Sequence, residues 1–481
     1  MQINFNQFAL NNTFLDALGC IFIAIVFCSC EKKIIPEAST PIITSPAIVI
    51  KNILPKGKEK YLTGSSAIIF NQDQVNTYNL ILTYESISFL DANPAAEEYV
   101  EAALVFNGDT ISPVGVRYKG SIGAYIGCVS GTDWSKPSGY KTCPKLSIQV
   151  KLNWKDRKEK FYDLNKLQFH SQNYDKAQLR ERMGYWLFAQ MGVPAPRAVH
   201  ARVLINGMYS GLYGLVEEVD NRFVDLNFPN GKGNVYKEVW PINADGNARS
   251  PQTFINALKT NESASTNIDL MKAFAKAVAE TPAADAPKAV EKYMNIPQTM
   301  AYITVDRAIR HDDGPFHWYC NTGGTGCSNH NYYWFEDQKN QKMTLIPWDL
   351  DGAFEHVINT ANSITVITDK WGISSNGCKA FNYGNNSVFQ KSAACDKLTA
   401  AWVLYKDEYL LAKTKLQSQI ITDAKALAEF DKWALQIQPY IVEADSFYNN
   451  GSTSSSKTTT RLTWENAVRT LRQQIIAAGK P

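Results

Sequence analysis

The chain has 481 residues, 45% of them hydrophobic and 12% aromatic, enough apolar mass for a large core and too much for a disordered polymer. A formal net charge of +3 excludes the strong positive field of a nucleic-acid binder, so no nucleic-acid partner is expected. Six histidines without metal-ligand spacing argue against a zinc site.

Residues 17–28 form an apolar run as long as the core of a signal peptide and too short to cross a bilayer. The run ends in Phe27-Cys28-Ser29-Cys30, followed by Glu31-Lys32-Lys33. A small residue just before such a cysteine resembles a lipoprotein signal. Residues 1–29 are therefore expected to be removed and Cys30 acylated, which gives an exported protein held to the cell envelope through a lipid anchor. Residues 30–65 carry Pro36, Pro41, Pro46 and Pro55 among Ser, Thr and Lys and read as a linker. Beyond Cys20, Cys28 and Cys30, six cysteines remain in three local pairs. In an exported chain these predict disulfides Cys128–Cys143, Cys320–Cys327 and Cys378–Cys395.

Strands are predicted over 67–70, 78–82 and 100–106, then over 114–121, which runs into Gly120-Ser121. Residues 145–152 alternate strictly, with Leu146, Ile148, Val150 and Leu152 on one face and Lys145, Ser147, Gln149 and Lys151 on the other. A helix is predicted over 175–191, with Glu181 in its first turns and Gly192 at its end. Residues 201–209 and 211–219 read as a hairpin about Asn206-Gly207, running into Glu217, Glu218 and Asp220. Past residue 222 the spacing turns helical: 267–281, 297–309, 396–416, 424–447 and 464–478. The Ser/Thr-rich run within 449–460 reads as a loop. The expected fold class is α+β, with a sheet-rich lobe over 66–221 and a helical lobe over 222–481.

Two acidic turns flank an aromatic strand in the second half. His311-Asp312-Asp313-Gly314 precedes Asn331-Tyr332-Tyr333-Trp334-Phe335. Leu345-Ile346-Pro347-Trp348-Asp349-Leu350-Asp351-Gly352 follows it. Aspartates before glycine make turns, but a lysine strand, an acidic helix and two such turns are also the parts required for phosphoryl transfer to a hydroxyl.

The chain resembles the CotH (spore coat protein H) kinase family, whose fold is an atypical, two-lobed relative of protein kinases. The resemblance rests on Val116-Arg117-Tyr118-Lys119-Gly120-Ser121, the 145–151 strand, the 175–183 helix start, Gly192-Val193-Pro194, Asn206-Gly207, Val216-Glu217-Glu218, Val235-Tyr236-Lys237, Asp313-Gly314 and Ile346-Pro347-Trp348-Asp349, in the family's order. It implies ATP and Mg2+ (or Mn2+), a protein substrate bearing Ser or Thr, and a monomer. Asp313 would orient the hydroxyl and accept its proton. Asp349 would hold the metal, supported by Asp351. The family's second metal ligand is an Asn shortly after the catalytic Asp; here the fifth position on is Trp318, so Asn331 is assigned. Lys145, or Lys151 on the same face, would meet the phosphates with Glu181 as its partner. Ser121 would lie in the covering loop, and Glu217 would open the connection where adenine sits.

Two other readings remain. The 345–352 motif also resembles the opening strand of haloacid-dehalogenase-type phosphatases, but there it begins the fold and here it lies late. The second is a pseudokinase or ligand-binding lipoprotein without transfer.

Overall fold

The computed structural model describes residue 54 and residues 65–133, 135–156, 161–228, 231–321, 325–358, 372–374, 376–382, 389–449 and 459–480. The expected signal segment, Cys30, almost all of the linker and most of the 449–460 loop lie outside the described residues. Residues 48–481 form one compact unit.

The first half closes a barrel of seven strands: β1 (Asn76–Ile81), β2 (Val100–Phe106), β3 (Asp109–Tyr118), β4 (Ile148–Lys151), β5 (Lys166–His170), β6 (Ala198–Ile205) and β7 (Met208–Val216). The order is β1-β2-β3-β4-β5-β7-β6, and β6 pairs parallel to β1 to close it. Closure removes the sheet edges, and the alternating positions fill the interior. Leu80, Leu104, Val116, Ile148, Val150, Phe169, Val203 and Leu215 all belong to one buried core. The β6–β7 turn has Asn206 and Gly207 at φ 52° and 78°, the left-handed pair that a tight hairpin requires.

A larger core fills the remainder. Its sheet runs β11-β10-β8, from β8 (Gly233–Lys237), β10 (Tyr332–Asp337) and β11 (Lys342–Pro347). A smaller one joins β9 (His317–Cys320), β12 (Phe381–Asn382) and β13 (Phe389–Ser392). Helices Asp269–Glu280, Ile296–Ile309, Ala428–Asn449 and Arg461–Ala478 supply apolar faces to this core. The helix Arg180–Gln190, expected within the sheet-rich half, also contributes to it through Met183, Leu187 and Phe188. That helix therefore ties the two halves together. All three expected disulfides form, as suits an exported protein.

Two expected elements differ in kind, and others only at their ends, such as the helix expected from 175, which begins at Arg180. Residues 67–70 are turns rather than a strand, because Ile69 and Phe70 donate their N–H groups back to Ser66. The single helix expected over 396–416 breaks into Lys397–Val403 and Lys406–Lys415, with Tyr405 outside helical geometry between them. The Tyr405 hydroxyl donates to Pro287 O, an anchor that periodicity does not reveal.

At the end of β7, Glu217 is 2% exposed and meets Arg197, whose Nε lies 3.0 Å from Glu217 Oε2. Replacing Arg197 with alanine strands a buried carboxylate and should lower stability by roughly 3 kcal/mol in urea unfolding. An unchanged midpoint would show that the pair is not structural.

Candidate active site

Asp313 follows the helix Ile296–Ile309, which ends with Arg310 in left-handed backbone at φ 45°. His311 N–H donates back to Asp306 O, and Gly314 N–H donates to His311 O, closing the turn. Gly314 is required there by space, since a Cβ would lie 2.4 Å from His311 Nδ1. Three donors hold the Asp313 carboxylate: His330 Nε2 at 2.7 Å and Tyr319 OH at 2.8 Å on Oδ1, and Asn331 Nδ2 at 2.8 Å on Oδ2. Burial alone would raise this carboxyl, but the hydrogen bond and charge of His330, with Tyr319, hold it below its ordinary value. Its side chain is 48% exposed, so a substrate can reach it.

The described residues between Asp313 and Asn331 lead back to the Asp313 turn. The Cys320–Cys327 bridge closes this excursion, Tyr319 and Ser328 exchange backbone hydrogen bonds, and Asn329 Nδ2 donates to Pro315 O at 2.7 Å. Residues 329–331 thereby return to the Asp313 turn, with Asn331 at φ 61°. The same residue immediately precedes β10. Because Tyr332 pairs with Pro347 across the hairpin, Asn331 and Trp348-Asp349 emerge at one end of it.

Asp349 sits just past β11 at φ 53°, a conformation that a non-glycine residue adopts only when its surroundings enforce it. Its N–H donates to Tyr185 OH at 3.0 Å, and its carbonyl accepts from His311 Nε2 at 3.1 Å. The next residue, Leu350, packs on Gly184, where a Cβ would stand 2.7 Å from Leu350 Cδ1. The helix that carries Glu181 thus seats the loop that carries Asp349.

Asp349 and Asp351 are half-buried and both titrate above the ordinary carboxylate range. Burial is the main cause, followed by like charge: Glu181 on Asp349, and Asp349 and Glu181 on Asp351. His170 and Lys119 oppose it at Asp349. Such an excess of facing carboxylates suits a divalent cation. Among the described residues no three of His, Cys, Asp and Glu are already gathered as a metal cluster. A magnesium site sharing its shell with phosphate oxygens does not need three. Asp349 and Asn331 fit it, since Asn331 donates through Nδ2 and its Oδ1 is a possible ligand atom.

The lysine whose charge acts on Asp349 is Lys119. Its Nζ donates to Gln168 Oε1 and lies 2.9 Å from His170 Nε2 and 5.5 Å from the centre of the Trp348 ring. Burial pulls its ammonium down to about 8, while Glu218 and Asp349 pull the other way. Lys145 does not meet Glu181. Its Nζ donates to Leu212 O at 2.6 Å over the Tyr213 ring, and burial pulls it to about 7. Lys145 also precedes the regular part of β4, where pairing does not aim it at the cleft. Lys151 lies at the far end of β4, opposite Gly115 and Lys166. Glu181, 1% exposed, meets His170 and Tyr185 instead.

Ser121 is exposed and opens a short helix over Ile122–Tyr125, and the Gly120 N–H is already taken up by Glu97 Oε1 at 2.9 Å. The Glu217 carboxylate is held by Arg197, so its side chain is structural there. The next acid, Glu218, meets Lys166 at 2.9 Å.

Lys119, His170, Tyr185, Tyr319 and His330 were not singled out from the sequence. Lys119 had a signal: Val116 and Tyr118 point into the barrel, so Arg117 and Lys119 must point out. His330 adjoins Asn331, but the two tyrosines and His170 carried no mark.

The family model described as CotH kinase protein matches residues 116–477, a span that contains every cleft residue named above. No curated protein matches the chain significantly. The matched span covers most of the chain, and the chain belongs to the CotH kinase family.

Proposed function

We propose that this chain is an exported, lipid-anchored protein kinase that transfers a phosphoryl group from ATP to Ser or Thr hydroxyls of a protein substrate. One arrangement carries the reading: an Asp313 carboxylate held by three donors, and kept low by His330 and Tyr319, lies within electrostatic reach of the raised Asp349–Asp351 pair, on which Lys119 also acts.

In this reading the substrate hydroxyl hydrogen-bonds Asp313, which orients it and accepts its proton as the oxygen attacks. His330, Tyr319 and Asn331 fix the carboxylate's direction, so little reorganisation accompanies the transfer. Lys119, in place of Lys145, holds phosphate oxygens from the barrel side, and Trp348 walls the cleft beneath it. Asp349 and Asn331 would hold a magnesium ion, with Asp351 as electrostatic support. The metal, when bound, supplies charge neutralisation for the phosphates and for the developing transition state. The Gly120-Ser121 turn would cover the phosphates, and the segment after Glu217 would receive the base.

Purified protein incubated with Mg2+ or Mn2+ and γ-labelled ATP should label itself or an added Ser-rich protein. Nucleotide binding without transfer would instead establish the pseudokinase reading. Neither binding nor transfer would overturn both.

A further inference from the structure

The buried acid of the cleft and its lysine do not touch each other directly. Glu181 instead meets His170, whose Nδ1 lies 3.0 Å from each carboxylate oxygen. The other ring nitrogen, Nε2, lies 2.9 Å from Lys119 Nζ. A lysine ammonium has only donors and a carboxylate only acceptors. One neutral tautomer satisfies both contacts: the proton on Nδ1 donates to Glu181, and the lone pair on Nε2 accepts from Lys119.

The ring is fixed from several sides. His170 is 9% exposed at the end of β5 and stands edge-on to Trp348 at 5.8 Å. Glu181 also accepts from Tyr185 OH at 3.3 Å, and the same hydroxyl accepts the Asp349 N–H. One chain of contacts therefore runs Lys119, His170, Glu181, Tyr185, Asp349. It links the lysine of the barrel to the backbone of the expected metal loop.

We propose that His170 is a positioning residue, interposed between Lys119 and Glu181, that aims the lysine at the phosphates of a bound nucleotide. The proposal rests on the kinase reading above. A histidine spacer lets the acid stay buried in the helix while the cation extends further into the cleft than direct pairing with that acid would allow. Burial, which pulls the Lys119 ammonium to about 8, makes its acceptors matter more, because the charged form needs partners inside the cleft.

The test compares affinity for Mg-ADP and for adenosine by calorimetry in the wild type, His170→Phe, His170→Gln and Lys119→Ala. His170→Phe keeps the ring's bulk and removes both nitrogens. It should weaken Mg-ADP by about tenfold and leave adenosine unchanged, the size expected for one charge-assisted contact. His170→Gln, which retains an acceptor, should recover most of the loss. Lys119→Ala should match His170→Phe, and the double variant should be no weaker than either single one. Wild-type Mg-ADP affinity in His170→Phe would overturn the proposal while a Lys119→Ala defect left the kinase reading standing. Equal loss of adenosine and Mg-ADP would also overturn it, by marking His170 as structural. A wild type that binds neither ligand would remove the kinase reading and this proposal with it.

Discussion

Replacing Asp349 with alanine should lower phosphoryl transfer about a thousandfold, because a metal's charge stabilisation is worth several kcal/mol and each ~1.4 kcal/mol is tenfold in rate. The fold should survive, since the loop is held by its backbone through Tyr185 and His311 rather than by the carboxylate. A distinct sign in pH accompanies this. Asp349 titrates higher in the fold than in the unfolded chain, so its ionisation destabilises the protein as pH rises through the folded value. A divalent cation relieves that repulsion. Mg2+ or Mn2+ should therefore raise the thermal midpoint more at neutral pH than in acid, where protons compete for the carboxylates. In Asp349→Ala the metal-induced rise should vanish. A rise of the same size in the variant would place the metal elsewhere.

The second large effect is expected at Asp313. Substitution by asparagine should reduce transfer by roughly 10² to 10⁴, the contribution of a positioned base, while Mg-ADP affinity stays near the wild-type value. Asp313 has the opposite pH behaviour to Asp349. Its folded carboxyl is held low by His330 and Tyr319, which outweigh its partial desolvation, so it stabilises the fold above the unfolded value and that stability fades as pH falls through the folded one. The base is accordingly ionised throughout the neutral range. Full activity in Asp313→Asn would sink the assignment, and a loss of nucleotide binding equal to the loss of rate would recast the residue as a ligand contact.

The two variants fail in different ways, which makes them informative together. Asp349→Ala should lose both the metal-dependent stabilisation and the rate, whereas Asp313→Asn should lose the rate alone. Seen with the His170 series, they separate the three sides of the cleft: metal, hydroxyl and phosphate.

Strand alternation made much of the barrel legible in the sequence. Leu146, Ile148, Val150 and Leu152 share a face by period two, and that face is the barrel interior. The Asn206-Gly207 hairpin and the three disulfides were equally local, since turn chemistry and short cysteine spacing act over few residues. Asp313 and Asp349 stood out because aspartates in turns beside an aromatic strand form a local pattern, and the order of motifs carried the family.

Only the tertiary structure decided which lysine faces the cleft and what the acid on the helix meets. Lys119 and Lys145 both lie on an outward face by alternation; closure of the barrel sends one to His170 and Trp348 and the other to Leu212 O and Tyr213. Asn331 reaches Asp313 only because a disulfide-closed excursion folds back, and the β10–β11 register brings Asn331 to the end of the hairpin from which Asp349 emerges. Periodicity tells which way a side chain points from its own strand, but not what another strand, dozens of residues away, has brought to meet it. That pairing is made by the packing of two cores, and it decides the chemistry of this cleft.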